Sequence, residues 1–272
     1  MKASLRRFVQ KFAPAFYHLC RSHYLRRRFR AQFAADQRRF REAFYPGNTI
    51  PTVLTGPFQG MSYIDETVWG PITPKWAGTY EIELQDIFKQ ILRNGYSRFV
   101  NLGCAEGYYA VGVAVKDRRI EVIAIDVDPF ARKQVHRLAK LNHTSERICV
   151  FGECTHSQLN KLITGKTLVL ADIEGDELVL LDSGKVPRLN EADLLIEVHE
   201  ASVLNDGTSI EQKLTQRFAL SHAIDRRVSH QRDFWIDQHQ DLWQNRILRL
   251  EMVKALDEAR VGRQIWLWAQ RR

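Results

Sequence analysis

Five short apolar runs set the rhythm of the chain. They are Phe99-Val100-Asn101-Leu102, Ile120-Glu121-Val122-Ile123-Ala124-Ile125, Arg147-Ile148-Cys149-Val150-Phe151, Thr167-Leu168-Val169-Leu170-Ala171 and Asp193-Leu194-Leu195-Ile196-Glu197-Val198. Strands this continuously apolar are buried on both faces, which requires a parallel sheet covered by helices. Helical stretches alternate with them. One opens at Gly107, and one runs from the cap Asp128-Pro129 to Asn142. A short one follows Thr155, one follows Asp172 through Leu181, and one opens with the capping box Thr208-x-x-Glu211. His222 to Val228 reads as a sixth strand and Asp241 to Ala259 as one long polar helix. Gln264 to Ala269 reads as a closing strand antiparallel to the sixth. The expected fold is α/β, a mostly parallel seven-stranded sheet with an antiparallel last strand.

Ahead of that rhythm the pattern differs. Residues 1–45 are helical in pattern, broken or restarted at Pro14. Leu25, Phe29, Phe33, Phe40 and Phe44 fall on one face. Residues 46–79 are rich in turn formers, with Thr52 to Thr55 as a short hairpin-like strand and Gly56 to Met61 as a tight turn. Thr79 reads as the N-cap of a helix to Arg93, with Gly95 as its stop. Three units follow: a basic helical extension (1–45), an irregular or β-hairpin connecting segment (46–79) and the α/β domain (80–272).

Charge sharpens that division. The 272 residues carry a net charge of +8, but residues 1–50 hold twelve Lys or Arg against Asp36 and Glu42. The rest of the chain carries 28 basic and 30 acidic residues. The basicity therefore belongs to the extension. It suits a packed helix with a solvated basic face. It also suits a helix docking on anionic lipid, where each basic residue adds ~1 kcal/mol, or one contacting nucleic acid. Apolar content of 44% and charged content of 26% are ordinary for a globular protein. No apolar run approaches the ~18 residues of a spanning helix, and the N-terminus lacks the core and cleavage site of a signal peptide. Cys20, Cys104, Cys149 and Cys154 form no C-x-x-C pair, which suggests reduced thiols in a cytoplasmic protein.

Chemistry should gather beyond the carboxyl ends of the strands. Gly103-x-x-x-Gly107 follows the first strand and Asp126 the second. Gly152-Glu153-Cys154 follows the third, Asp172-Ile173-Glu174 the fourth, and Glu197 to Glu200 the fifth. A glycine loop opening a helix is a nucleotide-binding device, whereas a ring of acids is wrong for phosphate. Asp126, 19 residues past Gly107, is placed to accept both ribose hydroxyls. A ribose acceptor without a phosphate anchor points to S-adenosylmethionine, a nucleoside bearing a sulfonium and an amino acid.

From about Tyr80 to Glu200 the chain resembles class I S-adenosylmethionine-dependent methyltransferases, and among them the FkbM type. The resemblance lies in Asn101-Leu102-Gly103-Cys104-Ala105-Glu106-Gly107-Tyr108-Tyr109, in Asp126 with Pro129, and in Asn142. It continues in Asp172-Ile173-Glu174-Gly175-Asp176-Glu177 with Leu181, and in Glu197-Val198-His199. It implies a Rossmann-like fold and a cofactor site of Asn101, Gly103, Cys104, Ala105, Gly107, Tyr108, Asp126, Val127, Glu153 and Asp172. Asn101 stands where the family has an acid, and Cys104-Ala105 where it has a small polar pair. The implied reaction is methyl transfer to a hydroxyl, with Asp172, His199 and Glu174 near the methyl. Asp172 is favoured for its place by the cofactor, and His199 as base because imidazole titrates near neutrality. Two carboxylates, Asp172 and Glu197, do not make a convincing magnesium site, so no metal is expected. The expected acceptor is a small molecule or glycan, with peripheral contact to the inner face of the membrane through the basic helix. The alternatives are a nucleic-acid methyltransferase, disfavoured by the acid mouth and by Asp172-Ile173-Glu174-Gly175 in place of a Pro-Pro-aromatic motif, and an inactive interaction domain.

Overall fold

The apolar runs pair as their burial demands. The computed structural model describes residues 14–199, 207–260 and 262–272. The parallel strands are β1 (Arg98–Leu102), β2 (Glu121–Ile125), β3 (Ile148–Phe151), β4 (Thr167–Ala171) and β5 (Asp193–Val198). Two more, β6 (His222–Val228) and β7 (Ile265–Arg271), complete a seven-stranded sheet of order β3-β2-β1-β4-β5-β7-β6. β7 is antiparallel to both of its neighbours. Successive residues of a strand point to opposite faces. Phe99, Ala124, Leu168, Leu195 and Trp266 accordingly build one core layer, and Val100, Ile123, Val169, Leu194 and Leu267 the other.

Helices cover both layers. α1 (Pro14–Phe44), α2 (Thr73–Ala77) and α3 (Gln85–Ile91) precede the sheet, and α4 (Tyr108–Lys116) follows the glycine loop. α5 (Pro129–Leu141) starts on the Asp128 carboxylate, which accepts from the Phe130 N–H, and ends at Asn142. α6 (His156–Leu162) opens with a reciprocal Thr155–Gln158 box. α7 is Glu177–Leu180, α8 Ile210–Phe218, α9 Asp233–Gln238, α10 Gln240–Trp243 and α11 Arg249–Ala255.

Four of the helical expectations need correction. The helix expected from Thr79 is a 3-10 turn (Ile82–Leu84) leading into α3, because Glu81 takes a left-handed φ of 46° that breaks any helix through it. The helix expected after Asp172 is only α7, since Glu174 and Gly175 also have positive φ. The capping box of α8 is Ser209 with Gln212, one residue later than Thr208 with Glu211; Glu211 instead meets Arg226 Nε at 2.6 Å. The expected helix 241–259 is interrupted. Trp243 and Met252 are both buried, yet they would stand half a turn apart on one straight helix.

The N-terminal region is joined to the same core. α1 runs unbroken from Pro14, and Phe40 and Phe44 are buried, Phe40 lying 6.3 Å from Trp76. Arg30 pairs with Glu66 at 3.0 Å, Arg39 with Glu251 at 3.6 Å and Arg41 with Asp65 at 2.7 Å. Arg27 and Arg28 face solvent. Residues 1–13, Glu200 and the side chains of Cys20, Leu25 and Phe29 lie outside the described residues. Among the described residues no helix is long and apolar enough to cross a membrane. In place of the expected strand at 52–55 there is a single bridge, Thr52 to Ser62, around a turn closed by Gly60 N–H on the Val53 carbonyl.

Candidate functional site

The site begins with the loop between β1 and α4. Gly103 has φ +74°, and a Cβ there would lie 1.6 Å from the Asp172 carbonyl oxygen. Its glycine is therefore demanded by the backbone after β4 as much as by any ligand. Gly107, φ +94°, turns the chain into α4. Asp126 braces the loop: one carboxylate oxygen accepts from the Ala105 N–H at 2.9 Å and the other from the Asp128 N–H at 2.8 Å. Burial raises this carboxyl to about 6, against the opposing effect of those two N–H donors. Each oxygen keeps a second lone pair for a hydroxyl.

Register places the remaining groups. Asn101, Leu170 and Leu195 stand side by side on β1, β4 and β5. Two residues further, on the same face, come Asp172 and Glu197. Asn101 is 1% exposed, and neither its oxygen nor its nitrogen has a hydrogen-bond partner. Carboxylate oxygens of Asp172, Glu197 and Glu81 lie within 4.8 Å of one another. Burial, and then the charge of Glu81, raise Asp172 to about 7. Burial and the charge of Asp172 push Glu197 well above the carboxylate range.

His199 completes the group. Its Nδ1 donates to Glu177 Oε1 at 2.8 Å, which leaves Nε2 at 3.5 Å from Asp172 Oδ1 and 3.8 Å from Glu197 Oε2. Glu177 is fully buried and also accepts from the Gly175 N–H at 3.2 Å. Burial works against the imidazolium, but the Glu177 hydrogen bond and the charges of Asp172, Glu177 and Glu174 outweigh it and raise the His199 pKa. Glu174, exposed at φ 57°, has an oxygen within 4.8 Å of ligand atoms of Asp172 and His199. Glu81, Asp172 and Glu197 form a second such trio, in which Arg260 already supplies counter-charge. Its guanidinium pairs with Glu81, meets Glu197 Oε1 at 2.9 Å and Glu258 Oε2 at 2.8 Å, and donates to the Tyr80 hydroxyl at 3.2 Å.

The structure thus gathers Asn101, Gly103, Ala105, Asp126, Asp172, Glu174 and His199 along one edge of the sheet. Cys104 is a buried thiol raised by burial. Tyr108 packs between Phe58 and Tyr80, each 5.3 Å away. Val127 (72% exposed) and Glu153 stand at the surface beyond β2 and β3. Sequence reasoning gave no role to Glu81, Glu177 or Arg260. Glu177 was within reach, since it closes the Asp-x-Glu-Gly-x-Glu run. Arg260 was not, since it meets Glu81 across 179 residues. Past β6 and before β7 a cavity of about 790 Å³ opens at the same edge, walled by His230, Arg232, Glu258, Arg260 and Arg263.

No protein-family model matches the sequence, nor does any curated protein. Several solved structures are similar in fold. One is a SAM-dependent methyltransferase from Geobacter sulfurreducens in complex with S-adenosyl-L-homocysteine (TM-score 0.45, 14% identity, covering 71% of this chain and 91% of that one). Another is MccD protein (TM-score 0.42, 13% identity, 70% and 97%). A third is a putative O-methyltransferase from Klebsiella pneumoniae (TM-score 0.43, 10% identity, 71% and 80%). At such values the likeness carries nothing about activity. The strand order and the antiparallel β7 themselves define the architecture as a Rossmann-like, mostly parallel seven-stranded α/β fold.

Proposed function

We propose that the protein is an S-adenosylmethionine-dependent O-methyltransferase of the FkbM type, acting on a hydroxyl of a small molecule or glycan. One juxtaposition carries this reading: a glycine loop braced by Asp126 beside a His199–Asp172–Glu177 group on neighbouring strand ends. The residues fit the cofactor. Asp126 has lone pairs for the two ribose hydroxyls, and the unpartnered Asn101 amide accepts from an ammonium or donates to a carboxylate. Asp126, Asp172, Glu174 and Glu197 give the site an acidic balance that suits a cationic ligand, with the Arg132 guanidinium held on the Asp126 carbonyl at 2.7 Å. When bound, S-adenosylmethionine supplies a methyl group on a sulfonium, open to in-line displacement by an acceptor oxygen.

The chain's own task is to place the acceptor hydroxyl and take its proton. His199 Nε2 is the accepting atom. Glu177 fixes the tautomer by holding Nδ1–H and stabilises the imidazolium that forms. Asp172 orients the hydroxyl beside it. The cavity bordered by Arg260 is the route for the acceptor. We propose further that the protein works in the cytoplasm, with the exposed Arg27 and Arg28 of α1 meeting anionic lipid at the inner face of the membrane.

The test is calorimetric titration with S-adenosylmethionine, followed by labelled methyl transfer over sugars, glycolipids and hydroxylated metabolites. Folded protein that binds no cofactor would end the reading. Transfer to nitrogen alone would end its O-methyl part.

A further inference from the structure

Glu106 is the loop residue that the proposed function leaves unused. It is fully buried. Its carboxylate accepts from Tyr63 Oη and the Val68 N–H, each at 3.1 Å, and pairs with Lys75 Nζ; Thr67 Oγ1 also lies 3.1 Å away, its one proton shared with the Trp69 carbonyl at 2.6 Å. The Lys75 side chain is 3% exposed and also reaches Thr67 Oγ1 at 3.2 Å. Desolvating two ions is costly, and an apolar pair of similar size would fill the space without that cost. A buried pair supplied with this many donors buys a defined posture instead.

That posture is written in the backbone. Ala105, the preceding residue, holds φ at +47°, a conformation a Cβ disfavours and one that persists only where its surroundings over-determine it. Asp126 grips the Ala105 N–H from one side, and the donors of residues 63–75 grip Glu106 from the other. The same segment reaches the acid group. Lys75 Nζ lies 4.7 Å from the centre of the Tyr80 ring, and the Tyr80 hydroxyl meets Arg260.

We propose that the Lys75–Glu106 pair is a latch that positions the glycine loop, so that residues 63–75 are a working part of the ligand site. Glu106 and Lys75 are positioning residues; they act through Ala105 and its neighbours. The proposal rests on the methyltransferase reading for the identity of the ligand, and on geometry alone for the latch.

The experiment compares the full-length wild type with Glu106→Gln, Lys75→Met, the double variant and Thr67→Val. Thermal melting, amide hydrogen exchange at residues 104–107 and calorimetry with S-adenosyl-L-homocysteine are measured on each. Methyl-transfer kinetics follow where turnover exists. The double variant leaves no buried ion unpaired, so it melts cooperatively near the wild type. Its loop amides exchange at least about tenfold faster, and its cofactor Kd and KM rise about tenfold with kcat little changed, the signature of lost uniform binding. Thr67→Val, which at constant size removes the hydroxyl that bridges Lys75, Glu106 and the Trp69 carbonyl, shows the same changes at about two- to threefold. Folded variants with wild-type loop exchange and wild-type affinity would overturn the latch. A wild type that binds no cofactor would sink the methyltransferase reading instead, and loop exchange alone would then judge the latch.

Discussion

His199 Nδ1 and Glu177 Oε1 lie 2.8 Å apart, joining the end of β5 to the first turn of α7. Glu177 leaves the imidazole one free nitrogen, pointed at Asp172. Glu177→Gln keeps the shape and removes the charge. The pKa of His199 then falls back toward its ordinary 6.5, and kcat falls by roughly 10²-fold, within the range general-base catalysis contributes. Cofactor affinity stays unchanged. A pH profile of kcat with proton NMR of the ring checks this; an unmoved profile would remove His199 from the reaction.

Asp172 stands at the point of greatest electrostatic cost. Burial and Glu81 raise its carboxyl from 3.8 to about 7, so between those values the folded chain holds a proton that the unfolded chain has released. Stability therefore falls as pH rises through that window, and the loss is complete above about pH 7. Asp172→Asn should raise the melting temperature at pH 8, leave it nearly unchanged below pH 4, and depress methyl transfer at least about 10²-fold. Equal melting curves at pH 8 would contradict the electrostatic account.

The strands were legible because burial on both faces leaves β1, β2, β4 and β5 with unmistakable apolar runs. Asp126, Asp172 and His199 were legible because a strand end announces where its next residue goes. The helices were read less well wherever one residue departs from helical φ for a long-range reason. Glu81 is left-handed where it meets Arg260 and Tyr109, and no local pattern encodes a partner 179 residues away. Lys75 and Glu106 were hidden for the same reason: in sequence one is a charge in a turn-rich segment and the other a charge in a glycine loop.

Asp126→Ala removes the ribose acceptor and also the brace on the Ala105 N–H. Cofactor affinity should weaken at least about tenfold, or about 1.4 kcal/mol. Because the carboxyl titrates at about 6 and the ionised form is the better acceptor, wild-type affinity should decline as pH falls below 6. That slope should be absent in Asp126→Ala. Calorimetry from pH 5 to 8 distinguishes the two proteins, and a shared slope would assign it to another group.

The basic helix is anchored through its C-terminal end. Phe40 is fully buried, so Phe40→Ala should cost about 3–5 kcal/mol of stability, read by denaturant unfolding. Removing residues 2–28 spares Phe40, Phe44 and the Arg30–Glu66 pair, and should leave the melting temperature unchanged. The shortened protein should lose flotation with vesicles containing anionic lipid. Unchanged flotation would discard the lipid contact, and a melting temperature lowered by several degrees would assign the first 28 residues to the fold.

Arg260 serves as counter-ion to Glu81, Glu197 and Glu258 at once. Arg260→Met keeps much of the packing and strands three buried acids. Truncating one partner of a buried pair typically costs about 3–5 kcal/mol, and here that cost should depend on pH. In the wild type, burial already raises Glu197 and Glu258, and loss of the guanidinium raises them further. Protonation then relieves the repulsion, so the variant should approach wild-type stability near pH 5 and be most destabilised near pH 8. Denaturant unfolding at the two values measures the difference directly. Equal destabilisation at both would mean that Arg260 contributes through its guanidinium over the Tyr80 ring, 5.4 Å from the ring centre, and not as a counter-charge to the acids.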